Sequence, residues 1–586
     1  MAKHTITTAR VSRRSSSSLD LPALLLRAFA RENALAMIAP KLIAVALLVS
    51  LSAQPVFKDV AEQSGLKFRH YNGMTGKFYL PEITGSGGAL FDFDNDGDLD
   101  VFLVQGNVLE PNTKPDGTLL PWRSPEPPRG KLFRNDLKVN KDGSRSLSFT
   151  DVTQESGIVA TGYGMGAAVG DINNDGLPDL YLTNLGSNQM YLNKGGGKFV
   201  DVTKESGTDD PRWSTSASFL DYDRDGRLDL MIVNYADFSV TNSPNCYAAT
   251  TARDYCTPRV FRAPGNRLLH NKGNGVFEDV TVAAGVNKEF GHGLGIVTAD
   301  FNDDGWIDIY VANDGDPNQL WINQKNGTFV NDALLAGAAV NRNGQAEAGM
   351  GVDAGDVDGN GSEDIFVTHL MDETNTLYVN LGQGLFEDRT REAGLGMPGR
   401  RFTGFGTLLF DYDNDGWVDL IVANGAVQLP LGQPNQLFRN TGKGSFVEVI
   451  TDAGPEFPLL EVSRGVAAGD VDNDGDTDLL VTNNNGPARL LLNQVGSRNH
   501  WIGLRIVGKN GRDMLGAQVE IVTANNGVLR RRVRTDGSYL SANDPRVLVG
   551  LGQATEVKAV RVHWPDGTKD EWKDQPVDRY VTLKQK

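Results

Sequence analysis

Apolar and polar positions recur along this chain in one fixed order. A small, glycine-rich run such as GSGGALF (85–91), GMGAAVG (164–170) or GLGIVTA (293–299) leads into an acidic stretch of nine residues. A β-branched and aromatic run follows, as in LDLMIVN (228–234) and IDIYVAN (307–313). A third short run ends on asparagine, as in LFRN (132–135), MYLN (190–193) and LWIN (320–323). An aromatic segment such as FTDVT (149–153) or FVDVT (199–203) closes the unit. Short runs of this composition between turn residues predict four strands per unit. The acidic stretch joins the first strand to the second.

The unit occurs seven times, and a four-stranded unit repeated seven times predicts an all-β, seven-bladed β-propeller. Each unit buries its faces only against its neighbours. The Gly-x-Gly strands are expected innermost, where blades crowd the axis. The aromatic segment recurs at Phe57, Phe149, Phe199, Phe277, Phe329, Phe386 and Phe446. Its first copy precedes the first acidic stretch, and the last unit ends at LLLNQ (490–494) without one. The segment at Phe57 is therefore expected to supply the outer strand of the seventh blade.

The acidic stretches share the pattern D-x-D/N-x-D/N-G-x-x-D. Their first, third, fifth and ninth residues are Asp92, Asp94, Asp96 and Asp100 in unit one, and Asp171, Asn173, Asp175 and Asp179 in unit two. Unit three has Asp221, Asp223, Asp225 and Asp229, and unit four has Asp300, Asn302, Asp304 and Asp308. Unit five has Asp356, Asp358, Asn360 and Asp364, unit six Asp411, Asp413, Asp415 and Asp419, and unit seven Asp470, Asp472, Asp474 and Asp478. Three carboxylates inside a tight turn, with Gly at the sixth position, are what Ca²⁺ needs from a hard-oxygen cage. A carbonyl near position seven and the ninth residue complete the shell. An EF-hand ends on Glu at position twelve between helices; these loops are shorter and lie between strands. DVDGNGSED (356–364) is the weakest, with Asn360 replacing a charge and Gly359 adding flexibility.

Charge sharpens this picture. The net charge of −17 opposes a nucleic-acid surface. The first 53 residues differ from the rest. LIAVALLVSL (42–51), preceded by Lys41 and followed by small residues, describes a secretory signal, with Met37 as an alternative start. It is shorter than the ~20 residues a membrane span needs. Arg13 and Arg14 lie too far from it to make a twin-arginine signal. The predicted organisation is a leader over 1–53, a propeller over 54–495 and a small β domain over 496–586, in a secreted, periplasmic or cell-surface protein without a membrane span once the leader is removed. Cys246 and Cys256, ten positions apart in an exported chain, are expected to pair.

At this point the residues resemble a known group. The loops with their F-x-D-V-T and L-x-x-N segments look like FG-GAP/VCBS repeats, also found in integrin α-chain propellers. The tail resembles the ASPIC/UnbV domain through Gly516-Ala517, the segment Ser541–Arg546, Gly550-Leu551-Gly552 and Trp564-Pro565. Together they are similar to the cartilage acidic protein family. The resemblance implies calcium binding and extracellular interaction, and no defined reaction. A binding or adhesion module for a protein or glycan is therefore the first expectation. The alternative is an enzyme, or an accessory of secondary-metabolite biosynthesis, using the propeller channel.

Other residues weigh less. Insertions at 107–130, with six prolines, and 235–265, with both cysteines, are candidate recognition surfaces. His70, Glu82 and His292 fall near innermost strands and could face the channel, but no Ser-His-Asp spacing, zinc signature or phosphate loop supports catalysis. Strand alternation puts Arg530, Arg532 and Arg534 on one face. A solvated face is the plainer expectation, and docking onto the acidic propeller or an anionic ligand the sharper one.

Overall fold

A computed structural model describes residues 55–248, 250–427, 431–525 and 527–586, so the expected leader lies outside the described residues. Residues 55–586 form one compact unit. Seven four-stranded antiparallel sheets of one pattern are built from residues 57–493. Blade one holds Gly88–Phe91, Asp100–Leu103, Lys131–Asn135 and Phe149–Asp151, in that order from inside outward. The innermost strands of blades two to seven are Tyr163–Gly170, Ser214–Leu220, Gly293–Ala299, Val352–Gly355, Gly404–Phe410 and Ser463–Gly469. Each touches the innermost strand before it, and Ser463–Gly469 returns to Gly88–Phe91. The sheets thus close a ring, as a propeller requires.

The closing strand is the one expected from the register. Phe57–Asp59 pairs antiparallel with Arg489–Asn493 as the outer strand of blade seven, with Phe57 opposite Asn493. The Phe57 ring is buried against Phe410, Tyr412 and Phe457. Between blades the gaps are filled by large apolar side chains; Phe301, Tyr310, Val352, Ile365 and Phe386 form one such layer between blades four and five. Burying each is worth about 1.5–3 kcal/mol.

The asparagine that ends each third strand makes a second, polar fastening. Asn193 Nδ2 donates to the carbonyl of Pro178 in its own loop (3.1 Å) and to that of Phe93 in the preceding blade (2.8 Å). Asn271, Asn323, Asn380, Asn440 and Asn493 repeat this bond to Ile172, Tyr222, Phe301, Val357 and Tyr412. Asn135 closes the cycle by donating to Val471 of blade seven (2.9 Å).

The tail forms two further sheets. His500–Val507 lies between Val547–Gly552 and Tyr580–Lys584, and Gln518–Thr523 lies between Val528–Arg532 and Val557–His563, with Lys569–Gln575 beyond. Ile502, Leu504, Val519, Ile521, Val549 and Val560 are buried in a core continuous with that of blades two and three.

The segment 533–546, which has no regular strand, runs into the propeller axis. Leu90 N–H donates to Ala542 O (3.0 Å) and Ala542 N–H to Gly88 O (2.9 Å) in blade one. Ala167 N–H in blade two donates to Leu540 O (3.1 Å). Ser218 Oγ and Thr298 N–H, from blades three and four, donate to Asp536 Oδ2 (2.9 and 2.8 Å). Val352 N–H in blade five donates to Ser538 O, and Asp544 N–H donates to Ala468 O in blade seven. The Tyr539 ring meets Phe405 of blade six at 5.0 Å. All seven blades hold this plug. The space that a channel-based site would need is filled by the chain's own residues.

Candidate metal centres and their cover

Each nine-residue loop is built by its own carboxylates. In blade two, Asp171 accepts the N–H groups of Asp175 (3.2 Å) and Gly176 (2.8 Å), and Leu177 N–H donates to Asp175 Oδ1 (3.0 Å). The sixth glycine has positive φ, as at Gly176 (86°), which closes the turn. The ninth aspartate is the anchor. Asp308 Oδ2 accepts Phe301 N–H (3.0 Å) and its Oδ1 accepts Asn323 N–H (2.8 Å), tying the loop to the third strand.

These carboxyls sit where charge is expensive. Burial pushes Asp100 up to about 9 and Asp308 and Asp364 up to about 8. It pushes Asp221, Asp411 and Asp470 up to about 7. Buried, unpartnered oxygens remain on Asp94, Asp221, Asp413 and Asp472. Asp92, Asp94 and Asp96 each offer an oxygen within 4.8 Å of the others, as do Asp356, Asp358 and Asp364, and Asp411, Asp413 and Asp419. Converging oxygens, some without a hydrogen bond, in a desolvated site fit a hard divalent cation. Neighbouring cations already touch some loops: Arg439 Nε lies 2.9 Å from Asp413, and Lys325 Nζ 3.3 Å from Asp304.

The fourth loop position has a role that sequence reading missed. Asn95, Asn174, Arg224, Asn414 and Asn473 all have positive φ there. Each side chain donates to the carbonyl of the sixth glycine in the next blade's loop, from Asn95 to Gly176 (2.9 Å) round to Asn473 to Gly97 (3.2 Å). Blade four uses Asp303, which accepts from Ser362 Oγ (2.8 Å). Gly359 of blade five has no side chain to reach with. The Asn preference for left-handed backbone was the only signal in the sequence.

The tail covers this loop face, touching every loop. Arg505 donates to Asn95 Oδ1 (3.1 Å), and Arg512 to Asn174 Oδ1 (2.8 Å) and Gly226 O (2.9 Å). Gln518 reaches Asp300 (3.4 Å), Arg532 reaches Glu363 (3.0 Å), Arg531 reaches Gly416 O (3.0 Å) and Arg546 reaches Asp470 O (2.9 Å). Arg534 is paired with the fully buried Asp353. The solvated face expected for Arg530, Arg532 and Arg534 is thus corrected for the last two: they dock onto carboxylates of blade five. Arg530 alone stays at the surface, paired with Glu520 (3.1 Å).

The remaining expected residues lie on the other face. Glu82 is buried, accepting from Thr75 N–H (3.3 Å) and Tyr255 Oη (3.1 Å). His292 Nδ1 is 2.7 Å from Asp316, and its Nε2 is 3.2 Å from Phe261 O. His70 is buried, and burial lowers it to about 3. His70 and Glu82 share Asn484, which bonds to the His70 side chain and donates to Glu82 O (2.8 Å), whereas the His292 ring is held by Asp316 and Phe261. Cys246 and Cys256 are joined in a disulfide, with Cα atoms 5.2 Å apart, beside the short hairpin Cys246–Tyr247/Arg253–Asp254.

Two family models match parts of this chain. Residues 507–586 match the model "ASPIC and UnbV". Residues 171–232, 300–367, 356–422 and 411–481 match the FG-GAP-like repeat. Human cartilage acidic protein 1 is 29% identical over 299 residues, covering 49% of this chain and 43% of that protein. The mouse protein is 27% identical over 311 residues, covering 52% of this chain and 38% of its own length. The chain thus spans about two fifths of the curated relatives it matches. Among solved structures, the BP39L lectin of Burkholderia pseudomallei aligns with a TM-score of 0.41 at 10% identity, over 70% of this chain and 96% of that one. The chain carries matches to the FG-GAP-like repeat in its ring and to ASPIC and UnbV in its tail, and is similar to the cartilage acidic proteins.

Proposed function

We propose that this protein is an exported, calcium-stabilised binding module that recognises a protein or glycan through the face opposite its metal loops. Residues 1–53 act as the leader, 54–495 as the ring and 496–586 as its cap. The observation that carries the reading is the cover: the tail occupies the loop face and the axis. What stays open is the rim where the second strands pass into the third. Both insertions lie there. The disulfide-bearing one packs over the segment before blade one, with Tyr255 against Phe78 (5.2 Å) and Phe238 against Tyr79 (6.0 Å). The proline-rich one is held by Trp122 against Tyr71 (5.5 Å). Among the described residues no helix is long and apolar enough to cross a membrane.

The same rim carries a groove of about 630 Å³, lined by Arg259, Asn341, Gln345, Glu347, Glu373 and Arg400 among others. Amide, guanidinium and carboxylate groups with little apolar surface suit a ligand rich in hydroxyls or peptide groups. The test is capture of ligand from an envelope or extracellular fraction, repeated on glycan and peptide arrays. Changing Arg259 and Arg400 together to Ala is expected to abolish capture without moving the melting temperature by more than a degree or two. Undiminished capture by that variant would place recognition elsewhere.

A further inference from the structure

We propose that blade three holds a transition-metal ion of the Zn²⁺ class, bound through His270, in place of the calcium expected of the other loops. His270 occupies the position before the cross-blade asparagine. The same position is Arg134, Leu192, Ile322, Val379, Arg439 and Leu492 in the other blades, so blade three alone brings an imidazole to its loop. Nδ1 lies 3.0 Å from Asp229 Oδ1 and 3.4 Å from Asp223 Oδ2. Donor atoms of Asp223, Asp229 and His270 all lie within 4.8 Å of one another.

A second observation is independent of the histidine. Asp221 is 3% exposed, and its Oδ1 is buried with no hydrogen-bond partner. In blades one, two, four, six and seven that oxygen accepts the N–H of the fifth loop residue. In blade three the N–H of Asp225 goes to Asp223. Asp221 is left with an oxygen within 4.8 Å of those of Asp223 and Asp225.

Ligand chemistry separates the two kinds of ion. Ca²⁺ and Mg²⁺ take oxygen donors, whereas imidazole suits Zn²⁺ and its transition-metal neighbours. With bonds of about 2.1 Å, adjacent ligand atoms stand about 3.4 Å apart in a tetrahedron and about 3.0 Å in an octahedron. The 3.4 Å from Nδ1 to Asp223 is of this size, and the 3.0 Å contact to Asp229 is a hydrogen bond that an entering ion would replace. Asp223 is only partly buried and Asp225 is exposed, so the site is open to an entering ion. Both cysteines are in the disulfide and do not compete.

The inference rests on the reading that these loops hold cations, and the test separates the two. The full exported chain is stripped with chelator and dialysed against millimolar Ca²⁺ with micromolar Zn²⁺, then against Co²⁺ in its place. Bound metal is counted by elemental analysis, and Co²⁺ is followed by its visible spectrum and by X-ray absorption. Wild type is expected to keep one Zn²⁺ per chain in excess Ca²⁺, with one nitrogen ligand seen at Co²⁺. His270→Leu and His270→Gln are expected to bind Zn²⁺ at least about tenfold more weakly while keeping the Ca²⁺-dependent melting shift. The carboxamide keeps shape and hydrogen bonding if Leu disturbs the fold. Zn²⁺ retained equally by both variants, or a Co²⁺ site without nitrogen, overturns the proposal. Zn²⁺ retention by wild type alone, with no Ca²⁺ shift in any form, would sink the calcium reading and leave this one standing.

Discussion

The side chain of Asn323 fastens two blades, with Nδ2 bonded to Ile307 O (3.2 Å) and Tyr222 O (2.8 Å) in a fully enclosed site. Removing it strands two buried carbonyls, so Asn323→Ala should destabilise by about 2–4 kcal/mol. Asn326→Ala, at an exposed turn three residues on, should cost under about 0.5 kcal/mol. Denaturant melts of the two variants check this. The terminal asparagine of L-x-x-N was visible in sequence as a strand-end marker; its second partner was not, because that partner belongs to another blade. The loop carboxylates were legible because a nine-residue ligand pattern is local. Glu82 tells the opposite story: burial pushes it up to about 7 from 4.5. A raised acid stabilises fully below its ordinary range and loses that contribution as pH rises through the raised value. Between pH 5 and 8 wild type should therefore lose stability that Glu82→Gln keeps, as melting temperatures across that window would reveal. Equal slopes in the two proteins would contradict this.

At the scale of elements, two segments without much structure of their own complete the ring. The strand Phe57–Asp59 was legible from counting, because seven aromatic segments and an unpaired last unit leave one arrangement. Deleting residues 54–66 should expose the edge of Arg489–Asn493 and lead to aggregation or a large loss of stability. A form starting at Lys67 that melts with the full chain would refute the closure. The plug was not legible. Its residues have no strand period, and their partners are the glycine-rich inner strands, whose small size reads equally as crowding between blades. Both causes operate: a Cβ on Gly351 would fall 2.0 Å from Phe405 O of the next blade, and one on Gly87 would fall 1.9 Å from Leu540 O of the plug. Gly87→Ala should therefore loosen the plug, raising hydrogen exchange across 536–544 while the outer strands stay protected. The disulfide acts more locally. Cys256 is buried among Tyr79, Phe238 and Phe261, and the bridge closes a loop of about ten residues, worth roughly 2–3 kcal/mol at most. Changing both cysteines to Ser should leave the global melt nearly intact and open residues 235–265 to proteases.

On the scale of the whole molecule, charge decides the account. The residues after 53 carry a net charge of −22, and 28 candidate ligand positions crowd into seven loops on one face. The tail brings arginines to that face, but the ninth loop residues stay buried and the first ones buried or half-buried, and both are hard to ionise. Seven divalent cations, six Ca²⁺ and the one at His270, would lower the charge to about −8. At about 1 mM Ca²⁺ and affinities of 10⁻⁴–10⁻³ M, each Ca²⁺ site adds roughly 0.4–1.4 kcal/mol, or roughly 2.5–8.5 kcal/mol for six. That is comparable to the whole stability of a domain. Mg²⁺ holds its water too tightly to substitute. The direct measurement is the thermal melt of the chain after thorough chelation, then with 1 mM Ca²⁺ or 1 mM Mg²⁺ restored. The account predicts a lower melting temperature in chelator, recovery in Ca²⁺ and little recovery in Mg²⁺; melts that superimpose in all three conditions would contradict it.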